Sequence, residues 1–403
     1  MKLSIIIISY NTKELLEQCL ESIVNSLGDG RGLKPATPTS SSGLASFSLR
    51  QKEERELKPA TPDQRGLKPA TAKKRGLSMS DIEIIIVDNN STDGSQEYLS
   101  KLKTHPPKLT TRLPGTIRTR LVERDWRVAK GKNSKKQTSS KSQTNSKFQT
   151  SSKLPIPNLK VILNKENAGF SRANNQGIEK SEGEYVLLLN SDTIITEKNF
   201  FNKIIKFLEK NNNIGILGPK LLWENGQIQS SGGYFPTLPR LITWALMIDD
   251  LPLINKIIKP YHPHQPNFYT NDSYYQKIHH QDWVTGACFF IKRIVLDKIG
   301  FLDENFFMYA EEMEYCYRAK KAGFGVIYYP KASLIHLGGK SGTSLLAAKG
   351  EFWGIKYFYQ KHQPSWQKPI AGLLLKTAAF LRILVFYQNQ EKRQVYQQVL
   401  ADL

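Results

Sequence analysis

Apolar positions along the chain follow two alternating patterns. The first is a short, predominantly apolar run, as in Leu3–Ser9, Ile82–Val87 and Tyr185–Leu189, each reading as a strand buried on both faces. Lys160–Leu163 is a shorter run of the same kind. The second is helical spacing: Leu15, Leu16, Cys19, Leu20, Ile23 and Val24 form one stripe, and Asn11 with Glu14 fits a capping box ahead of it. Further helices are expected over Thr92 to about Lys103, over Phe170–Lys180, and over Glu197–Lys210 with Thr196 as its cap. Strand–helix alternation predicts an α/β fold with a mostly parallel central sheet covered on both faces. Ligands of such sheets bind at the carboxyl ends of the strands.

Each predicted strand ends abruptly on polar residues: Ser9-Tyr10-Asn11, "DNNSTDGS" from Asp88, "NKENAGF" from Asn164, and "NSDT" from Asn190. Any one of these tips is accounted for as a turn or a cap. Four at one sheet edge build a single cleft with carboxylates in it. No Gly-rich phosphate fingerprint follows the first strand, which argues against an ordinary dinucleotide fold.

Composition changes this picture in one respect. The 403 residues carry a formal charge of +21, which first suggests nucleic acid or an anionic membrane. The charge is concentrated. Residues 28–80 hold 11 Lys/Arg against 5 Asp/Glu, residues 103–157 hold 14 against 2, and the remainder is left at +3. The first segment repeats "RGLKPAT" and "ELKPAT" with a single Leu per copy, too little apolar surface for a solenoid; the second is a polar, basic low-complexity tract. Both are expected to be disordered insertions in surface loops. Aromatics there are limited to Phe47, Trp126 and Phe148, so stacking on bases is poorly provided for and a nucleic-acid partner is disfavoured. Cys19, Cys288 and Cys316 are scattered and odd in number, which fits a reducing compartment. The opening MKLSIIIISY turns polar too soon for a signal peptide, so a cytoplasmic location is expected.

Taken in order, "SIIIISYNTKELLEQCLESI", "IEIIIVDNNSTDGS", "NKENAGFSRANNQGI", "GEYVLLLNSDT", "DWVTGACFFIKR", "FFMYAEEMEYCYRAKKAGF" and "HLGGKS" resemble the blocks of family 2 glycosyltransferases with the GT-A fold, in the rhamnosyltransferase-like branch. The resemblance covers roughly residues 1–27, 81–102 and 158–365, and the two insertions fall outside it. It implies a catalytic domain over 1–365 and an inverting transfer of a hexose or deoxyhexose. The donor would be a nucleotide-diphosphate sugar and the acceptor a saccharide or lipid-linked saccharide of cell-surface polysaccharide. It also gives the strand tips roles. Tyr10, Asn11, Asp88, Asn90 and Asn190 would hold the donor, with Arg172 and Asn175 on the third helix beside them, although these two equally suit a solvated helix face. Asp192 matches the last carboxylate of the family's metal-binding D-x-D motif, with Asn190 in the first position, and His336 would complete a Mg²⁺ or Mn²⁺ site. Trp283, Thr285 and Gly286 match the acceptor side, although Trp283 equally suits a core.

Glu311, Glu312 and Glu314 are acids in the first turn of a predicted helix. They complement its dipole, Glu314 can pair with Arg318 one turn on, and Gly323 would end the helix. In the family, the second acid of an "ED" motif deprotonates the acceptor hydroxyl, and Glu312 occupies that position. Glu in place of Asp shifts the carboxylate by about a C–C bond length, so base catalysis by Glu311 or by Glu312 stays open. The change also keeps alive a second hypothesis, a catalytically inactive glycan- or nucleotide-binding module. The tail, 366–403, is expected to be helical. Its apolar stretch Pro369–Tyr387 contains Lys376 and Arg382, marginal for a spanning helix. It would either dock on the catalytic domain or lie in the membrane interface with both cations at the headgroups, putting the protein at the cytoplasmic face of the inner membrane.

Overall fold

The computed structural model describes residues 1–27, 76–104, 158–249, 251, 253–263, 273–338 and 344–403. Nearly all of both expected insertions lies outside these residues. The first half alternates strand and helix: β1 (Leu3–Ser9), α1 (Lys13–Leu27), β2 (Ile82–Asp88), α2 (Ser95–Thr104), β3 (Leu159–Leu163), α3 (Phe170–Glu179) and β4 (Tyr185–Asn190). Then come β5 (Thr193–Ile194), α4 (Phe200–Lys210), β6 (Ile214–Leu222), β7 (Ile228–Gln229), α5 (Leu238–Ala245), α6 (Ile254–Ile257), β8 (His279–His280) and β9 (Cys288–Lys292). The chain closes with α7 (Arg293–Ile299), α8 (Glu311–Lys321), β10 (Gly325–His336), α9 (Ser344–His362), α10 (Gln367–Val385) and α11 (Gln390–Asp402).

One sheet runs in the order β3-β2-β1-β4-β9-β6-β10-β5, with β7 paired to β6 and β8 to β10. The long ladders β1–β2, β1–β4, β2–β3 and β6–β10 are parallel, and β9 enters antiparallel between β4 and β6. The mostly parallel sheet expected from the strand–helix alternation is therefore present. Alternate residues of each central strand face opposite layers: Ile6, Val186 and Leu188 join one core, while Ile5, Ile7 and Leu187 join the other. Burying each such side chain contributes about 1.5–3 kcal/mol; the two polar residues inside these runs, Ser4 and Glu83, are buried and paired, with Ser4 Oγ donating to Glu83 Oε1 at 2.6 Å.

Three local expectations are corrected. The Asn11–Glu14 capping box does not form; α1 starts from Thr12, and Lys13 N donates to Asp93 Oδ2 at 2.8 Å. Asn11, with φ of 53°, is instead turned toward the β2 loop. The helix expected from Glu197 starts at Phe200, with Asn199 rather than Thr196 at its left-handed N-terminal boundary. The first insertion ends earlier than expected: Leu77 and Met79 pack against the core, and Leu77 N donates to Asn202 Oδ1 at 2.6 Å.

The tail is integral to the core rather than a separate appendage. Ala371, Leu375, Ala378 and Ala379 of α10 and Val395 and Val399 of α11 belong to the same cluster as the sheet. The Arg382 guanidinium stacks over Trp244 at 4.3 Å, so it is turned inward and not toward a headgroup layer. Among the described residues no helix is long and apolar enough to cross a membrane.

Candidate active site

Strand register brings the tips level. Ile8 pairs with Asn190 of β4, Ser9 with Asp88 of β2, and Asp88 with Leu163 of β3. Side chains lock the tips to one another. Asn11 Oδ1 accepts from Thr92 N at 2.7 Å, and the Thr12 and Ser191 hydroxyls are 2.9 Å apart. Asn89 ties β2 to the segment before α3: its Oδ1 accepts from Asn164 Nδ2, and its Nδ2 donates to Asn167 Oδ1.

Above these tips lies a cleft with about 200 Å³ of room. Of the residues expected at the site, Tyr10, Asn190, Asp192, Thr285, Gly286, Glu311, Glu312 and His336 line it. The others do not reach the lining. Asn11, Asn90 and Arg172 are exposed outside it, and Arg172 faces Glu304 at 3.9 Å. Asn175 is buried and fully used by the loop beyond α7: it donates to Leu302 O and Glu304 Oε1 and accepts from Leu302 N. Trp283 is a core residue packed on Tyr261 at 5.8 Å, as its apolar ring equally allowed. Asp88 lies behind the lining. Its Oδ1 accepts from Ser91 N and Gln96 Nε2, while its buried Oδ2 has no hydrogen-bond partner.

Sequence reasoning did not single out Asn89, Asn167, Phe170, Ser191, Met308 and Tyr309, all of which line the cleft. Their signal was their place inside the polar tips and acidic block already noted. Spacing alone does not say which member of a tip turns inward.

Asp192 and His336 meet through sheet pairing. β10 runs antiparallel to β5 with His336 opposite Thr193, and Leu337 N donates to Asp192 O at 3.0 Å. His336 Nδ1 lies 2.7 Å from Gln229 Oε1. An amide oxygen only accepts, so Nδ1 donates to it, and a neutral imidazole held this way would turn its Nε2 lone pair toward Asp192. Nε2 is 3.4 Å from Asp192 Oδ1, yet that buried oxygen has no hydrogen bond. Two lone-pair atoms so placed fit a divalent cation between them, since neighbouring ligands of an octahedral site lie about 3 Å apart. Among the described residues no three His, Cys, Asp or Glu side chains gather into a metal cage. Two protein ligands suffice where diphosphate oxygens and water complete the shell.

Across the cleft, the first turn of α8 presents the two acids. Glu311 is buried, and Glu312 is partly exposed and accepts from Gly286 N at 3.4 Å. One oxygen of each, Oε2, is buried without a partner. Burial, then the neighbouring Glu312 charge, holds Glu311 well above the ordinary carboxyl range. Burial raises Glu312 too, against backbone donors that include Gly286. The turn that delivers them is strained: Tyr309 and Ala310 both have left-handed backbones, at φ of 72° and 67°. Helix α9 holds that turn in place. A Cβ at Gly350 would lie 2.6 Å from Met308 O, and one at Gly354 would lie 2.4 Å from Ala310 Cβ, so only glycine admits this approach.

Glu314, the third acid, is structural. Fully buried, it takes Arg318 Nε, Lys361 Nζ and His362 Nε2 at 2.8–3.0 Å. Burial opposes its ionisation, but His362, Arg318 and Lys361 together hold it below the ordinary carboxyl range. The Glu314–Arg318 pair and the helix end at Gly323 (φ 91°) are as the sequence leads one to expect.

Residues 139–349, just over half of the chain, match the model of the family described as "Glycosyltransferase like family 2". The chain is 30% identical over 175 residues to the low-salt glycan biosynthesis hexosyltransferase Agl10 of Haloferax volcanii, covering 42% of this chain and 49% of that one. It is 23% identical over 235 residues to the N-acetylglucosaminyl-diphospho-decaprenol L-rhamnosyltransferase of Mycobacterium tuberculosis, covering 54% and 72%. It thus spans about half the length of the Haloferax relative and rather more of the mycobacterial one. Similar solved structures include the mannosyltransferase PcManGT from Pyrobaculum calidifontis in complex with GDP-Man and Mn²⁺ (TM-score 0.44, 13% identity, 99% of this chain and 86% of that one). Another is S. aureus TarS (TM-score 0.41, 12% identity, 96% and 44%). On the family match, the chain belongs to glycosyltransferase-like family 2, and its mostly parallel α/β sheet is the GT-A fold anticipated from its sequence blocks.

Proposed function

We propose that the protein is an inverting glycosyltransferase. It moves a hexose or deoxyhexose, rhamnose among the candidates, from a nucleotide-diphosphate sugar to a hydroxyl of a saccharide or lipid-linked saccharide in cell-surface polysaccharide synthesis. One observation carries the reading: Asp192, Glu311 and Glu312 each leave a buried carboxyl oxygen without a partner, and all three line one cleft. Such groups are costly unless a ligand or the reaction uses them.

Asp192 and His336 would hold Mg²⁺ or Mn²⁺ against the donor diphosphate, with Gln229 orienting the imidazole. When bound, the cation neutralises charge building on the departing nucleoside diphosphate. Tyr10, Asn89 and Asn190 line the donor half of the cleft, and Asp88 Oδ2 behind them suits a base or ribose donor group. Thr285 and Gly286 line the acceptor half beside Glu312. Glu312 takes the proton of the attacking hydroxyl: the Gly286 N–H favours its anion, while burial and the neighbouring Glu312 charge disfavour ionisation of Glu311. Attack from the Glu312 side, opposite the diphosphate held at Asp192, inverts the anomeric centre.

A panel of nucleotide sugars, scored by thermal shift with and without Mn²⁺, tests this. A metal-dependent rise in melting temperature with a subset of donors, followed by sugar transfer, is the expected result. No shift with any donor sinks the reading; a shift without transfer or donor hydrolysis would assign the chain to a binding module instead.

A further inference from the structure

Tyr309 is held where its backbone is unfavourable. Its φ is 72°, and among the described residues it is the sole aromatic residue in the left-handed region, where glycine or asparagine fits most easily. The turn into α8 accounts for a left-handed backbone here, but not for a tyrosine. Core packing does not account for it either: the side chain is half-buried and belongs to neither core cluster. Helix α9 nevertheless makes room for the ring. A Cβ at Gly350 would lie 2.7 Å from Tyr309 Cδ2 and 3.1 Å from Tyr309 Cβ, so an alanine there would displace the side chain. A strained backbone kept together with an accommodating glycine points to a use for the side chain itself.

That side chain faces the cleft. Tyr309 lines it together with Asp192 from the strand-tip side and Glu311 and Glu312 from α8. No hydrogen bond ties its hydroxyl to a described residue. Burial, then the Glu311, Glu312 and Asp192 charges, raise its phenol above the ordinary value, so it stays protonated and serves as a donor rather than a base. Among the described residues no lysine or arginine lines the cleft, which leaves recognition of a ligand's oxygens to neutral donors.

We propose that Tyr309 is a specificity-determining residue whose phenol donates a hydrogen bond to an oxygen of the sugar being transferred. This rests on the transferase reading, in which Glu312 and Asp192 stand on opposite sides of that sugar. A side chain that lines the cleft with both of them faces what lies between. A donor placed there discriminates through its partner: a sugar with an oxygen in reach is held, and one without it leaves the phenol unpaired. On the same reading the strand tips and Asp192 hold the nucleoside and diphosphate, so loss of the phenol hydroxyl is felt at the sugar alone.

Tyr309→Phe is the test, because it keeps the ring against Gly350 and removes only the hydroxyl. Wild type and variant, as full chains with Mn²⁺, are titrated calorimetrically with UDP-glucose and UDP, GDP-mannose and GDP, and dTDP-rhamnose and dTDP. For a pair that wild type binds, the variant should hold the nucleotide sugar about tenfold more weakly, the loss of roughly one hydrogen bond. Its affinity for the bare diphosphate and its melting temperature should be unchanged. Equal weakening of both ligands would put the phenol on the diphosphate and overturn the proposal. Unchanged affinity for the nucleotide sugar would overturn it too, and would leave the transferase reading intact. A lowered melting temperature with both affinities reduced would make Tyr309 a structural residue only. Wild type that binds none of these pairs would count against the transferase reading itself and take this inference with it.

Discussion

His336 Nε2 and Asp192 Oδ1 face each other across 3.4 Å, neither bridged by a hydrogen bond, while Gln229 fixes the far side of the imidazole. The two come from β10 and the turn after β4, far apart in sequence, and only the β5–β10 pairing unites them. Asp192→Ala should lower transfer at least a hundredfold. Its melting temperature should hardly change, because the lost oxygen has no internal partner. Gln229→Leu should raise the Mn²⁺ concentration for half-maximal transfer by about 10–100-fold. A metal requirement unchanged in both variants would remove this pair from the site.

The paired acids make two separable predictions. Glu312→Gln should lower turnover by about 10²–10⁴ with little change in donor binding, measured by single-turnover transfer and donor titration. The smaller loss should come from Glu311→Gln; the reverse order would make Glu311 the base.

Glu311 also has a signature in stability. Its native carboxyl titrates above its unfolded value, so the native state binds the proton more tightly. The stability this gives is present below the ordinary carboxyl range and is lost as pH rises through the raised native value. Glu311→Gln removes that loss. In denaturant melts its advantage over wild type should therefore grow as pH rises above the ordinary carboxyl range.

Glu314 shows the opposite sign. Its native carboxyl is held low, so its contribution is present above the unfolded value and lost as pH falls through the native one. Glu314→Gln leaves Arg318, Lys361 and His362 around an uncharged group and should cost about 3–5 kcal/mol, read from urea unfolding at neutral pH. A cost below about 1 kcal/mol would place the cluster with ordinary surface pairs.

Deletion of 28–75, bridged by a short Gly-Ser linker, should leave melting temperature and transfer near wild type. Extending the deletion to residue 80 removes Leu77 and Met79 from the core and the bond to Asn202, and should lower the melting temperature by several degrees. Equal behaviour of the two deletions would mean that residues 76–80 contribute nothing to the fold.

Much of the strand-tip half of the cleft was legible in the sequence because parallel strands buried on both faces read as largely apolar runs, and their polar ends mark the cleft directly. Asp192 and Tyr10 were reachable that way, whereas Glu311 and Glu312, on the first turn of α8, read equally as dipole-complementing acids until the motif resemblance singled them out. Asn175 and Trp283 were not reachable: both sit inside the motif blocks, but their partners, Leu302 and Tyr261, are distant in sequence and turn them inward. Helix α1 was placed correctly, yet its cap came from Asp93 rather than from a local Asn, a tertiary contact that no spacing rule predicts. The tail was ambiguous because α10 is apolar on both sides; sequence periodicity reports a face only when one face is polar.

The level register of β1, β2 and β4 also sets what directed evolution can reach. The floor proposed for the donor is anchored to the sheet tips, so on that reading a change of nucleotide preference has to be made within fixed backbone, one side chain at a time. The opposite wall rides on α8 and the Tyr309–Ala310 turn clasped by α9, outside the sheet. Helices α8 and α9 are themselves bound into the core, so on the proposed reading acceptor preference is open to change only at side chains such as Thr285 that face the cleft.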